Sequence, residues 1–140
     1  VLLEFKKYVN RTIGAGILPI TPSGKILIGL RSKECDCPHT WAPFGGKAKS
    51  KNMKKEALRE FREETGFEGD LDLFPAYVYE DEKLEFHNFI GLLDEFKPKL
   101  DHETDEAKWV TYTELKQLSP KHFGLIALLK NTNFNDFQNI

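Results

Sequence analysis

The sequence predicts an α/β fold in which a mixed β-sheet is covered by helices on both faces. Three observations lead there. Short runs rich in branched and aromatic residues recur between Arg11 and Thr111, as strands require. Two principal helical patterns, one before and one after the later strands, carry apolar residues at three-to-four spacing. Strands interleaved with helices bury their apolar faces best as stacked layers.

Taken in order, Arg11 to Ile20 reads as a strand, Thr21 to Gly24 as a turn and Lys25 to Leu30 as the return strand, together a hairpin. Ser32 to Ser50 carries Pro38, Pro43, Gly45 and Gly46 without sustained periodicity, so it reads as a long connection with a short strand near Trp41. Connections of this length in compact domains tend to serve function. Asn52 offers an N-cap, Ala57, Leu58 and Phe61 form the apolar stripe of a helix, and Gly66 ends it. Leu71 to Tyr79 and Leu84 to Leu93 are two further strands joined by an acidic turn, the first made irregular by Pro75. Ala107 to Thr111 is a strand around Trp109, and Thr113 caps a short helix from Glu114 to Leu118. A last helix, Lys121 to Lys130, turns Leu125, Ile126, Leu128 and Leu129 toward the core, and the asparagine-rich tail 131–140 is expected to fray.

The 140 residues make one domain with no internal repeat. The 20 basic and 22 acidic side chains leave a net charge of −2, which gives no electrostatic footprint for duplex nucleic acid as the main partner. Apolar runs are too short to span a bilayer, and the opening residues lack the pattern of a secretory signal, so a cytoplasmic location is expected. Cys35, Cys37 and His39 stand close together, but three soft ligands without a second pair make a poor zinc site, and a loop with two reduced thiols is the simpler reading. Lys47, Lys49, Lys51, Lys54 and Lys55 form a basic run that would meet a phosphate-rich ligand or else merely balance the acidic helix behind it.

That acidic helix is where chemistry concentrates. On a helix, residues three and four apart share a face, so Glu56, Glu60, Glu63 and Glu64 fall within an arc of roughly 100°. Like charges at this spacing repel by a few tenths of a kcal/mol per pair. A divalent cation would offset that repulsion.

Arg59-Glu60-Phe61-Arg62-Glu63-Glu64-Thr65-Gly66-Phe67, preceded by Gly45-Gly46, resembles the signature of the Nudix hydrolases, Gly-X5-Glu-X7-Arg-Glu-U-X-Glu-Glu-X-Gly-U with U apolar. All nine residues of the second half are in register. The resemblance implies an α/β/α sandwich and a metal-dependent hydrolase that cleaves a diphosphate linkage in a nucleoside diphosphate derivative. It implies Mg2+ or Mn2+ held by Glu60, Glu63 and Glu64, with the backbone carbonyl of Gly45 or Gly46 joining them and Arg59 bracing the cluster. The general base is expected in the acidic loop before Trp109, with Glu103 first and Asp105 or Glu106 as alternatives, while His102 is a surface residue. Arg31 and Phe44 are placed where members of the family contact ligand, and Phe86 or His87 would line a base pocket. The expected partner is a small nucleotide derivative.

The first half of the signature departs from the pattern. Counting back from Arg59, its glutamate falls on Lys51, beside Asn52, and counting forward from Gly46 the loop is one residue short. Glu56, counted with the metal-site residues, is the nearby carboxylate that could stand in. A fold kept for binding or regulation, with efficient catalysis lost, is the alternative that this departure raises.

Overall fold

The computed structural model describes residues 11–134. Seven strands form one mixed sheet: β1 (Thr12–Ile20), β2 (Ile26–Arg31), β3 (Trp41–Ala42), β4 (Phe44–Lys47), β5 (Leu73–Glu80), β6 (Leu84–Leu92) and β7 (Thr104–Val110). Among the described residues the helices are α1 (Met53–Thr65), α2 (Tyr112–Gln117) and α3 (Phe123–Asn131). The main order is β3-β2-β1-β6-β5, with β4 on β1 and β7 on β2.

Alternation along the central strands sorts the core into two layers. Ala15, Ile17, Leu27 and Phe89 meet Ala57 and Phe61 of α1 on one face. Leu18, Ile20, Ile26, Ile28 and Ile90 meet Leu115 of α2 and Leu125 and Leu128 of α3 on the other. The fold is therefore the α/β/α sandwich expected. Phe61 has no exposed surface and its ring meets those of Phe44, Phe67 and Phe96. Burial of a side chain that size stabilises by about 2–3 kcal/mol, which fixes α1 to the sheet.

The expected hairpin exists only at its tip. β1 and β2 pair at Ile20 and Ile26, after which β4 occupies the β1 edge from Gly14 to Ile17 and β2 turns to β7. β1 instead takes its longest pairing with β6, in parallel from Thr12 opposite Leu84 to Ile20 opposite Leu92. The long connection before α1 holds two strands where one was expected, since β4 lies in the glycine-rich segment that carries little strand propensity of its own.

The ends of α1 follow the sequence. Asn52 accepts from the Lys55 N–H at 3.1 Å, and Gly66, at φ 71°, adopts the left-handed conformation open to glycine at little cost. Pro75 marks a bulge in β5 as expected. Helix α2 starts earlier than read: Thr111, not Thr113, is the cap, with Glu114 returning to the Thr111 N–H in a capping box. In α3, Leu125 and Leu128 are buried but Ile126 is largely exposed. The tail, expected to fray from Asn131, keeps Phe134 buried with its ring stacked on Tyr112 at 5.0 Å. The remainder of the tail, 135–140, and the opening residues 1–10 read above for a signal lie outside the described residues. Among the described residues no helix is long and apolar enough to cross a membrane.

Candidate active site

Helix α1 lies over the sheet with β4 beside it, and this juxtaposition assembles the acidic cluster. Glu60 and Glu64, one turn apart, face β4. The Gly45 N–H donates to Glu64 Oε1 at 3.1 Å, and Gly46 leaves the space that the Glu60 carboxylate fills, so that a Cβ there would come within 2.7 Å of it. Glu103, just ahead of β7, joins them from the far side. Its backbone is pinned, since its carbonyl accepts from the Ser32 N–H at 2.9 Å and the Cys35 thiol at 3.3 Å. One carboxylate oxygen from each of Glu60, Glu64 and Glu103 lies within 4.8 Å of the other two.

Carboxylates held this close repel, and the cost appears in the protonation of Glu64 and Glu60. Burial, then the charges of Glu103 and Glu60, pushes Glu64 up to about 9. Burial also raises Glu60, against the lowering pull of Arg59. An all-oxygen set of this kind suits a hard divalent cation, which takes carboxylates and keeps positions for water and phosphate. Among the described residues, Cys35, Cys37 and His39 form no such group.

Arg59 organises the outer side of the helix. Its guanidinium meets Glu63 Oε1 at 3.0 Å, Glu60 Oε1 at 3.1 Å and the Lys47 carbonyl at 3.2 Å, and its Nε donates to Glu56 Oε2 at 3.3 Å. Glu63 is half-exposed and turned to Arg59, outside the converging three. Glu56 is buried and also accepts from the backbone N–H groups of Lys49 and Ser50. These bonds and Arg59 hold its carboxyl below the usual range.

Glu60 and Glu103 open onto a cleft of about 520 Å³, also bounded by Arg31, Phe86, Asn88 and Phe123. Phe86 lies across Gly14, Gly16 and Gly45, where any Cβ would come within 2.9 Å of its ring. Strand alternation separates the two residues on β6: Phe86 and Asn88 face the cleft, while His87 pairs with Glu85 at 2.8 Å on the opposite side. Arg31 stands at the cleft with its Nε donating to the Asp36 carbonyl at 2.7 Å. Phe44, expected at the ligand, is instead core: β4 turns its ring inward, edge-on to Phe61 at 5.8 Å, and only 1 % of its surface is exposed. Of the basic run, Lys47 borders the cleft.

Sequence reasoning missed Asn88, Tyr79, His122 and Phe123, which line the same cleft. His122 caps α3, its Nδ1 accepting from the Gly124 N–H at 2.9 Å, and burial then Arg31 lower it to about 4. It is therefore neutral near pH 7 with its proton on Nε2. No motif marks it, because its place depends on how α3 packs against β5.

Comparison with known proteins agrees with this architecture. No curated protein matches the sequence. Similar solved structures include a MutT protein from Methanosarcina mazei Go1 (19% identity, TM-score 0.73, covering 93% of this chain and 96% of that one). A C. elegans Ap4A hydrolase binary complex is similar at 20% identity and TM-score 0.69, covering 90% and 96%. So is the NUDIX domain of Shewanella oneidensis NrtR complexed with ADP ribose, at 14% identity and TM-score 0.67, covering 86% of each. These likenesses establish the fold. The sequence itself matches the NUDIX domain model over residues 10–129, which takes in the whole acidic helix, β4 and the Glu103 loop, and on that match the chain belongs to the NUDIX domain family.

Proposed function

We propose that this protein hydrolyses a diphosphate linkage in a nucleoside diphosphate derivative, using Mg2+ or Mn2+. The observation that carries this reading is the convergence of Glu60, Glu64 and Glu103 at one end of a cleft that also offers Arg31 and the faces of Phe86 and Phe123. The membership in the NUDIX family supports it, as do the descriptions of two similar structures, an Ap4A hydrolase and a NUDIX domain complexed with ADP ribose.

In this reading Glu60 and Glu64 would hold the cation, with the Gly45 carbonyl and Glu63 as further ligands. A divalent cation held there would neutralise the diphosphate and make the attacking water more acidic. Glu103 takes the proton of that water as its oxygen bonds to phosphorus and the bridging P–O bond breaks, leaving two phosphate products. Arg31 and Lys47 receive phosphate charge, and Phe86 supports the base. Arg59 keeps Glu60 in place.

The test is a panel of nucleoside triphosphates, nucleotide sugars, dinucleoside polyphosphates and ADP-ribose, assayed with Mg2+ or Mn2+ for phosphate or nucleoside monophosphate release. Turnover that disappears in Glu60→Gln and Glu103→Gln supports the proposal. Ligand-induced thermal stabilisation without any product would favour the binding-module alternative raised by Lys51 and Asn52.

A further inference from the structure

The loop between β4 and α1, residues 48–52, carries two lysines and no acid of its own, yet it must hold Gly45 and Gly46 against the glutamates of α1. We infer that Glu56 is the positioning residue of this site, supplying from inside the helix the carboxylate that the loop lacks at Lys51. This inference rests on the proposed metal site.

Glu56 is 3 % exposed, although it occupies the first turn of a helix whose neighbouring residues Lys54 and Lys55 are fully at the surface. A buried carboxylate persists only where hydrogen bonds replace water. Here one oxygen accepts from Lys49 N–H and from Ser50 N–H, the latter at 3.1 Å, and the other accepts from Arg59 Nε at 3.3 Å. The two bonds from the loop backbone do not cap the helix, which Asn52 already does. Both tie the loop down onto α1.

The consequence reaches the cluster through Arg59. With its Nε held by Glu56, the guanidinium is aimed so that one outer nitrogen, Nη2, reaches both the Lys47 carbonyl at 3.2 Å and Glu60 Oε1 at 3.1 Å. Lys47 follows Gly46, against which the Glu60 carboxylate rests. One buried charge thereby sets the loop, the arginine and a carboxylate of the cluster. Glu56 acts on the cation through Arg59 and β4, touching neither ion nor substrate.

The substitution Glu56→Gln separates the two functions of the group. Its single carbonyl oxygen still accepts from the loop, whereas its amide meets Arg59 with a donor and no charge. The experiment measures Mn2+ binding by electron paramagnetic resonance, metal dependence of hydrolysis, and melting in chelator, for wild type, Glu56→Gln, Lys51→Glu and the double variant Lys51→Glu/Glu56→Gln. Expected is a loss of Mn2+ affinity of about tenfold or more in Glu56→Gln, the usual scale for a residue that orients metal ligands, with turnover at saturating metal reduced less. The double variant should recover most of that affinity, and Lys51→Glu alone should gain little. Wild-type-like Mn2+ binding in Glu56→Gln overturns the inference while leaving the hydrolase reading intact. Loss of affinity that tracks loss of melting temperature and is not restored by Lys51→Glu also overturns it, since that is what a purely structural residue would give. Should Glu56→Gln fail to fold, a folded, Mn2+-binding double variant supports the inference and an unfolded one defeats it. A wild type that binds no Mn2+ removes the inference together with the function it rests on.

Discussion

The carboxylate of Glu60 occupies the space that a side chain on Gly46 would fill: a Cβ built at Gly46 lies 2.7 Å from Glu60 Oε2. The obstruction is the far end of a flexible side chain, so Gly46→Ala should leave the fold standing and push Glu60 out of the cluster. Melting in chelator is expected to change little, and the Mn2+ concentration for half-activity to rise. Gly16→Ala is the control. Its Cβ would sit 2.5 Å from the Phe44 carbonyl, where backbone must shift, and overpacking of this kind costs about 1–3 kcal/mol. Equal melting of the two variants would count against this account.

Metal-free protein should lose stability as pH rises. Glu64 ionises near 4.5 when unfolded and is raised to about 9 in the fold, so its contribution is fully present below about pH 4.5 and fades as pH climbs through 9. Glu64→Gln keeps an acceptor for the Gly45 N–H and cannot ionise. In chelator its stability relative to wild type should grow with pH across that window, by at most about 1.4 kcal/mol per unit. Saturating Mn2+ should reverse the order of the two proteins. Denaturant titrations at several pH values, with and without metal, measure both effects.

His122 gives the opposite sign. Its ordinary value of 6.5 is lowered to about 4, so the stability it contributes is complete above pH 6.5 and is lost as pH falls through 4. Protonation at Nδ1 would also remove the acceptor that caps α3. His122→Asn keeps a capping oxygen without the titration. Thermal melts at pH 7 and pH 4.5 should show wild type losing more than this variant.

Two phenylalanines near the glycines should behave differently. Phe44→Ala removes a ring that is 1 % exposed against Phe61, and such core truncations cost about 3–5 kcal/mol. Phe86→Leu keeps an apolar contact over Gly14 and Gly16 but withdraws the ring face from the cleft. The expectation is a severalfold rise in KM with a smaller change in kcat. Steady-state kinetics and a melt of each variant separate the two cases, and an unchanged KM for Phe86→Leu would remove Phe86 from the ligand.

Local signals carried the acidic helix into view. Asn52, the Ala57 and Phe61 stripe, Gly66 and the run Arg59 to Phe67 all act within a few turns, so spacing alone reveals them. What spacing hid was pairing over distance. Nothing in Phe44-Gly45-Gly46-Lys47 announces a strand, because it becomes one only by adding to the β1 edge, and the direction of the Phe44 ring follows from that pairing. The same reason hid Asn88, His122 and Phe123. Glu103 was legible as one acid among several near Trp109, and its approach to Glu64 depends on β7 lying beside β2.

The parallel pairing of β1 with β6 gives the site a late birthday. Parallel neighbours cannot close by a tight turn, so everything from Ile20 to Leu84 must be laid down before the centre of the sheet exists. A nascent chain that has finished α1 already holds every glutamate of the helix, but has neither the strand bearing Phe86 nor Glu103. Such a fragment presents the cation with a loose acidic peptide in place of a pocket. The proposed cation binding therefore requires the finished molecule, and loss of the segment beyond β6 should abolish it while sparing the entire sequence motif.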